Sequence, residues 1–208
     1  MKKIGEGYYY NVFEVSTDIV LKIIKSRFRI FIFILFANKF NISNTTKEYK
    51  VVLSSIPKLK NIYSRVFSLI SDKSIIGNPE FVNNTDYKQN RVKELKSIND
   101  LNKEEFIKVI SDYTNLLKRL WSFGISDSVF NFSINCGYNK HNELVLIDFN
   151  EMTFEKDRVN EQIVNKVWLR RASYLRLTKE KQEIFNEVLN KEITKESLEK
   201  IWAREGSK

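Results

Sequence analysis

Histidine and cysteine are nearly missing from this chain: His141 and Cys136 are the single representatives of each among 208 residues. One cysteine excludes a disulfide framework and fits a reducing compartment. One histidine beside one cysteine leaves no material for a zinc site of imidazole and thiolate ligands, or for a histidine-based triad. Any metal would have to sit on Asp, Glu or Asn oxygens, a donor set that suits Mg²⁺. Long apolar runs are lacking as well. The longest, Ile30 to Ala37, has eight residues, where a transmembrane helix needs about 20. Residues 1–25 hold no apolar stretch followed by a small-residue cleavage site, so no signal peptide is read there. Internal repeats and low-complexity linkers are absent too.

What is present is globular in composition: 42% hydrophobic, 13% aromatic and 29% charged residues, too apolar for a disordered chain. The length suits one large domain or two small lobes. The net charge of +9 permits contact with phosphates, nucleic acid or an anionic membrane. The lysines are scattered along the chain, which reads first as a basic solvated surface. One segment stands apart, "RFRIFIFILFANKF" at 27–40, flanked by Arg27, Arg29 and Lys39. It reads as a buried helix or strand, or as an interfacial anchor, with burial the preferred reading.

The hydrophobic pattern predicts strands at 3–15 and 18–24 around a turn at "STD", then a helix over 47–56 that ends before Pro57. Residues 61–76 read as a β-type apolar stretch, and "GNPEFVNNTD" as a loop. The clearest helix is "NKEEFIKVISDYTNLLKRLWSFG", with Asn102 and Glu105 as a capping box and Gly124 as its stop. "FSINCGY" and "ELVLIDF" read as two strands around "NKHN". Val159 to Leu175 reads as one helix, and Thr194 caps another between Ile193 and Leu198. The expectation is an α+β protein with a β-rich lobe over 1–80 and a helical lobe over 81–208.

Four features in order carry chemistry. Gly5, Gly7 and Val12 lie in "KKIGEGYYYNVFEV", where missing Cβ atoms would let backbone N–H groups approach phosphate. Lys22 sits in the apolar strand "IVLKII", ten residues after Val12, and lysine is rarely buried unpaired. Glu48, in "TKEYKVV", lies on the next predicted helix. The run Leu144 to Ile147 delivers Asp148 to a strand end, and Asn135 precedes Asp148 by thirteen residues. In this order and spacing the chain resembles the protein-kinase-like superfamily: the Gly-rich loop G-x-G-x-x-G-x-V, the strand V-A-I-K, and D-F-G, read here as Asp148, Phe149, Asn150. Tyr10 stands in place of the third glycine and Asn150 in place of the D-F-G glycine.

The resemblance covers residues 3–155 and implies a two-lobe fold with a minimal helical C-lobe. It implies ATP held by Gly5, Gly7, Val12 and Lys22, Lys22 paired with Glu48, and Mg²⁺ on Asn135 and Asp148. The family's catalytic loop puts an aspartate five residues before the asparagine; here that position is Phe130. The nearest acid, Asp127, is the candidate base on a remodelled loop, with Asn131 an alternative metal ligand. No A-P-E motif follows. The chain looks more like the small bacterial kinase-like proteins, such as the lipopolysaccharide core sugar kinases, than like a regulated peptide kinase. That implies a cytoplasmic phosphotransferase acting on a sugar or glycolipid hydroxyl, with peripheral contact at an anionic inner membrane. The alternatives are a catalytically inactive pseudokinase that works as a nucleotide-responsive binding module, and a basic nucleic-acid or membrane-surface protein. Nucleic acid is the weaker of those partners, because Trp121 and Trp168 sit at helical core spacing rather than in a stacking array.

Overall fold

The structure, a computed structural model, describes residues 1–95 and 97–202. It is mixed α+β, and every strand pairing among the described residues is antiparallel. The chain forms two compact units, one of residues 1–65 and 78–91, the other of 66–77 and 92–208. It therefore passes between units three times, where the sequence suggested one change near residue 80.

In the first unit, β1 (Lys2–Glu6), β2 (Tyr10–Glu14), β3 (Ile19–Ile24), β4 (Glu80–Phe81) and β5 (Tyr87–Asn90) form a sheet in the order β1-β2-β3-β5-β4. The β-branched residues Val12, Ile19, Val20, Ile23 and Ile24 favour its central strands. The stretch read as a loop from 77 to 86 supplies β4. Its turn is tied by Asn83 Oδ1, which accepts from Thr85 N and Asp86 N, while Asp86 Oδ1 accepts from Ile24 N.

Segment 27–40 is helical over α1 (Arg27–Ala37), with Ser26 Oγ accepting from Arg29 N at its start. Burial holds for one face only. Ile30 and Ile34 are fully buried against Val52, whereas Phe28 is 72% exposed and Phe36 62%. The next helix, α2 (Ile42–Leu69), corrects two expectations: it contains Pro57, and it runs through the stretch read as β-type, which closes in a 3-10 turn at Lys73–Ile76. A proline inside a helix costs about 3 kcal/mol. Buried Val52, Leu59, Tyr63 and Val66 lie at helical spacing on both sides of it, and their burial outweighs that cost.

The second unit is built on α3 (Lys103–Trp121). Its capping box is made, with Glu105 N donating to Asn102 Oδ1 and Asn102 N to Glu105 Oε2. Its buried stripe includes Phe106, Ile110, Tyr113, Leu117 and Leu120, and Gly124 follows in the left-handed region at φ 72°. Two small sheets follow. One orders β6 (Lys93–Glu94), β8 (Cys136–Tyr138) and β9 (Leu144–Leu146); the other pairs β7 (Ser126–Asp127) with β10 (Met152–Thr153). Gly137 must be glycine, because a Cβ there would lie 2.4 Å from Val92 Cγ2. "FSINCGY" is not one strand: its first half is the helical turn α4 (Phe132–Asn135). The helix expected across 159–175 is broken into α5 (Lys156–Val164), a 3-10 turn at Val167–Arg170 and α6 (Ala172–Leu175). The break falls at Lys166, whose φ is 43°. α7 (Lys179–Glu192) and α8 (Lys195–Ile201) complete the unit, and Thr194 caps α8 between buried Ile193 and Leu198.

Candidate functional site

In the first unit the register sets up a row. Gly5 pairs with Val12, Val12 with Lys22, and Lys22 with Tyr87, across β1, β2, β3 and β5. Directly opposed residues in antiparallel strands present their side chains on one face. The row therefore joins the glycine of the hairpin, the valine and the lysine on a single face of the sheet. A bulge between Lys3 and Gly5 sets this register. Lys22 is on the central strand rather than an edge, is buried, and holds its ammonium 5.4 Å from the centroid of the Tyr87 ring.

The two glycines of the hairpin are not demanded by the fold. A Cβ at Gly5 would make ordinary contact with Val12, at 3.8 Å, and one at Gly7 would meet nothing within 4 Å. Neither sits in the left-handed region. Gly7 N donates to Tyr10 O and closes the turn, with Tyr8 exposed at its tip. Glu48, on α2, accepts from Asn38 Nδ2 at 2.7 Å through one oxygen of its carboxylate. Sequence reading passed over Lys25. Its side chain is buried, with Nζ 3.3 Å from Glu6 Oε2 and 3.7 Å from the Phe33 ring centroid, and burial holds its pKa below the ordinary lysine value.

In the second unit, a backbone hydrogen bond joins Asn135 to Asp148, and Asp127 lies near enough to Asp148 for their charges to interact. β7 delivers Asp127, and its partner β10 follows directly on the segment 147–151. β8 and β9 lie in register so that Asn135 O accepts from both Ile147 N (2.7 Å) and Asp148 N (3.3 Å). Ser128 N and Oγ both donate to Glu151 O, tying the loop after Asp127 to the residues after Asp148. Phe149 is fully buried, edge-on to Phe67 with ring centroids 6.5 Å apart. Asn150, in the glycine's place, donates its side-chain amide to Asp148 Oδ1.

Asp127 is fully enclosed; Val129 N donates to its Oδ1 at 2.9 Å and the Tyr113 hydroxyl reaches its Oδ2 at 3.5 Å. Burial pushes its carboxyl up to about 7; the negative charges of Glu151 and Asp148 add to the rise, and the Val129 N–H opposes it. Glu151 is surface-exposed, yet partial desolvation and Asp148 raise its carboxyl too, against the pull of Arg171. Sequence reading missed Glu151 and Tyr113, though Glu151 was visible as a second acid three residues after Asp148.

The donor set can be tested for Mg²⁺ on Asn135 and Asp148. Asn135 is buried, and its side-chain amide bonds to no described residue; Asp148 keeps Oδ2 unbonded among the described residues. An oxygen pair of this kind suits Mg²⁺ when phosphate oxygens complete the coordination. No cluster of three His, Cys, Asp or Glu side chains fit for a metal occurs among the described residues. Asn131 is less suited to the role, because its Oδ1 faces Ser173 N at 3.5 Å. No protein-family model matches this chain, and no curated protein matches it.

Proposed function

We propose that the protein is an ATP- and Mg²⁺-dependent phosphotransferase of protein-kinase-like two-lobe architecture, acting on a hydroxyl of a sugar or glycolipid in the cytoplasm. The observation that carries this reading is the approach of Asp148 both to Asn135, by a backbone hydrogen bond, and to Asp127, whose carboxyl is raised to about 7. A carboxylate that titrates near neutrality suits a general base. The row of Gly5, Val12 and Lys22 supports it from the first unit.

In this reading the hairpin backbone at Gly5 and Gly7 lies against phosphate and Val12 packs on the base. Lys22 neutralises phosphate charge. Asn135 and Asp148 would hold Mg²⁺, whose chemistry when bound is neutralisation of charge on the phosphoryl oxygens. Asp127 accepts the proton of the attacking hydroxyl. Glu48 accepts from Asn38 through one carboxylate oxygen, and in this reading its other oxygen is the partner of Lys22.

A second reading, an inactive nucleotide-responsive binding module, is favoured by one observation: Asp127 is only 1% exposed and bonded at both oxygens. Calorimetric titration with ATP, with and without Mg²⁺, and an assay of ATP turnover separate the two. The phosphotransferase reading expects Mg²⁺-dependent binding and turnover, both lost in folded Lys22→Met and Asp148→Asn. Binding without turnover leaves the binding module. Absence of any ATP binding by the folded wild type removes both readings.

A further inference from the structure

Helix α1 is apolar on two opposite faces. Ile30 and Ile34 fill the buried one. Phe28, Ile32 and Phe36 recur every four residues on the other, which places them in one outward stripe. Phe28 and Phe36 are exposed, and Ile32 is partly so. The connection to α2 extends the stripe. Lys39 and Phe40 both adopt positive φ, 49° and 64°, a conformation unfavourable for a bulky residue. It leaves Phe40 exposed, with its ring edge-on to Phe36 at 4.9 Å, next to exposed Ile42. Contiguous exposed aromatic surface of this kind marks an interaction site.

Charge identifies what covers it. From Ile19 to Lys47 the chain contains no Asp or Glu and six Lys or Arg. Four of those, Arg27, Arg29, Lys39 and Lys47, are exposed around the stripe. A second copy meeting this face symmetrically would oppose four exposed cations to four, with half-buried Glu48, bonded to Asn38, the acid beside them. An anionic bilayer answers both features: phenylalanine and isoleucine enter the headgroup–acyl boundary while the cations meet lipid phosphates. No helix among the described residues is long and apolar enough to span a membrane, so the contact is one of lying on the surface. We propose that the Phe28–Phe36–Phe40 stripe with its basic rim docks the protein on an anionic membrane surface. This holds whatever chemistry the protein performs.

The test is sedimentation with vesicles of phosphatidylcholine alone and of equal parts phosphatidylcholine and phosphatidylglycerol. Binding is expected only to the anionic vesicles, weakening as salt is raised. Phe36→Ser/Phe40→Ser and, separately, Arg27→Glu/Lys39→Glu should each lower the partition coefficient at least tenfold while leaving the melting temperature in place. Because Cys136 is buried, a dye on Phe36→Cys reports the stripe alone, and its emission should shift to the blue with anionic vesicles. Equal partitioning of wild type and both double variants, or a wild-type dimer that Phe36→Ser/Phe40→Ser converts to monomer, overturns the proposal.

Discussion

Two residues separate what the fold needs from what a ligand would need. Gly7 has no neighbour that a Cβ could strike and no left-handed backbone. Gly7→Ala should therefore keep the wild-type melting temperature. If the hairpin covers phosphate, the added methyl obstructs the approach of its N–H groups, and ATP affinity should fall about tenfold in a titration. Unchanged affinity would detach the hairpin from nucleotide binding. Asp127 offers the reverse case, an ionisable group whose burial works against the fold. Its carboxyl is raised from 3.8 to about 7 by burial. Between those values the native state binds more protons than the unfolded chain, so stability falls as pH rises through the window, by about 4 kcal/mol at most. Asp127→Asn should remove that fall. Urea midpoints at pH 5 and pH 8 should converge in the variant and differ in the wild type; parallel behaviour would mean Asp127 is ionised at both. If Asp127 is the base, turnover rises with pH and levels off above about 7.

At the scale of elements, legibility depended on how local the deciding physics was. The capping box of Asn102 and Glu105 and the cap at Thr194 could be read because each involves one turn of chain. α2 could not be read at Pro57, although its stripe of Val52, Leu59, Tyr63 and Val66 was present in the sequence; a local breaker was weighed above a longer-range period. α1 was half legible, since an apolar run does not say which of its faces finds a partner. Among the site residues, Lys22 and Asp148 could be picked out by a charge ending or interrupting an apolar run. Lys25 could not, because its burial depends on Phe33 and Glu6 folding over it. The Pro57 reading has a direct consequence. Leu53 O loses its helical donor at position 57, so Pro57→Ala should restore that bond. The gain, less the freedom added to the unfolded chain, is about 1–2 kcal/mol. A higher urea midpoint at unchanged slope would show it; a lower one would mean that Leu59 and Tyr63 pack only on the proline's bend.

At the scale of the whole molecule, neither unit is a continuous stretch of chain. The first needs residues 78–91 after the excursion of 66–77 into the second. This matters because β5, at 87–90, is not an ornament on the sheet edge: it pairs with β3 through Ile19, Val20, Leu21 and Lys22, and supplies fully buried Tyr87. A fragment cut at the boundary drawn from the sequence, 1–80, would leave one side of β3 without hydrogen-bond partners and expose Val20 and Tyr10, both buried in the intact unit. It would also lose Asp86, whose carboxylate accepts from Ile24 N, and Thr85, whose carbonyl accepts from the Tyr10 hydroxyl. Fragment 1–80 should therefore be unfolded or aggregated. Fragment 1–91 retains every strand of the sheet and should show a cooperative thermal transition and dispersed amide signals. Equal folding of the two fragments would mean that β1, β2 and β3 are stable without β5, and that the row from Gly5 to Lys22 holds without its neighbour Tyr87. Equal failure would mean that the sheet depends on residues beyond 91, making the row from Gly5 to Lys22 a property of the whole chain rather than of its first unit.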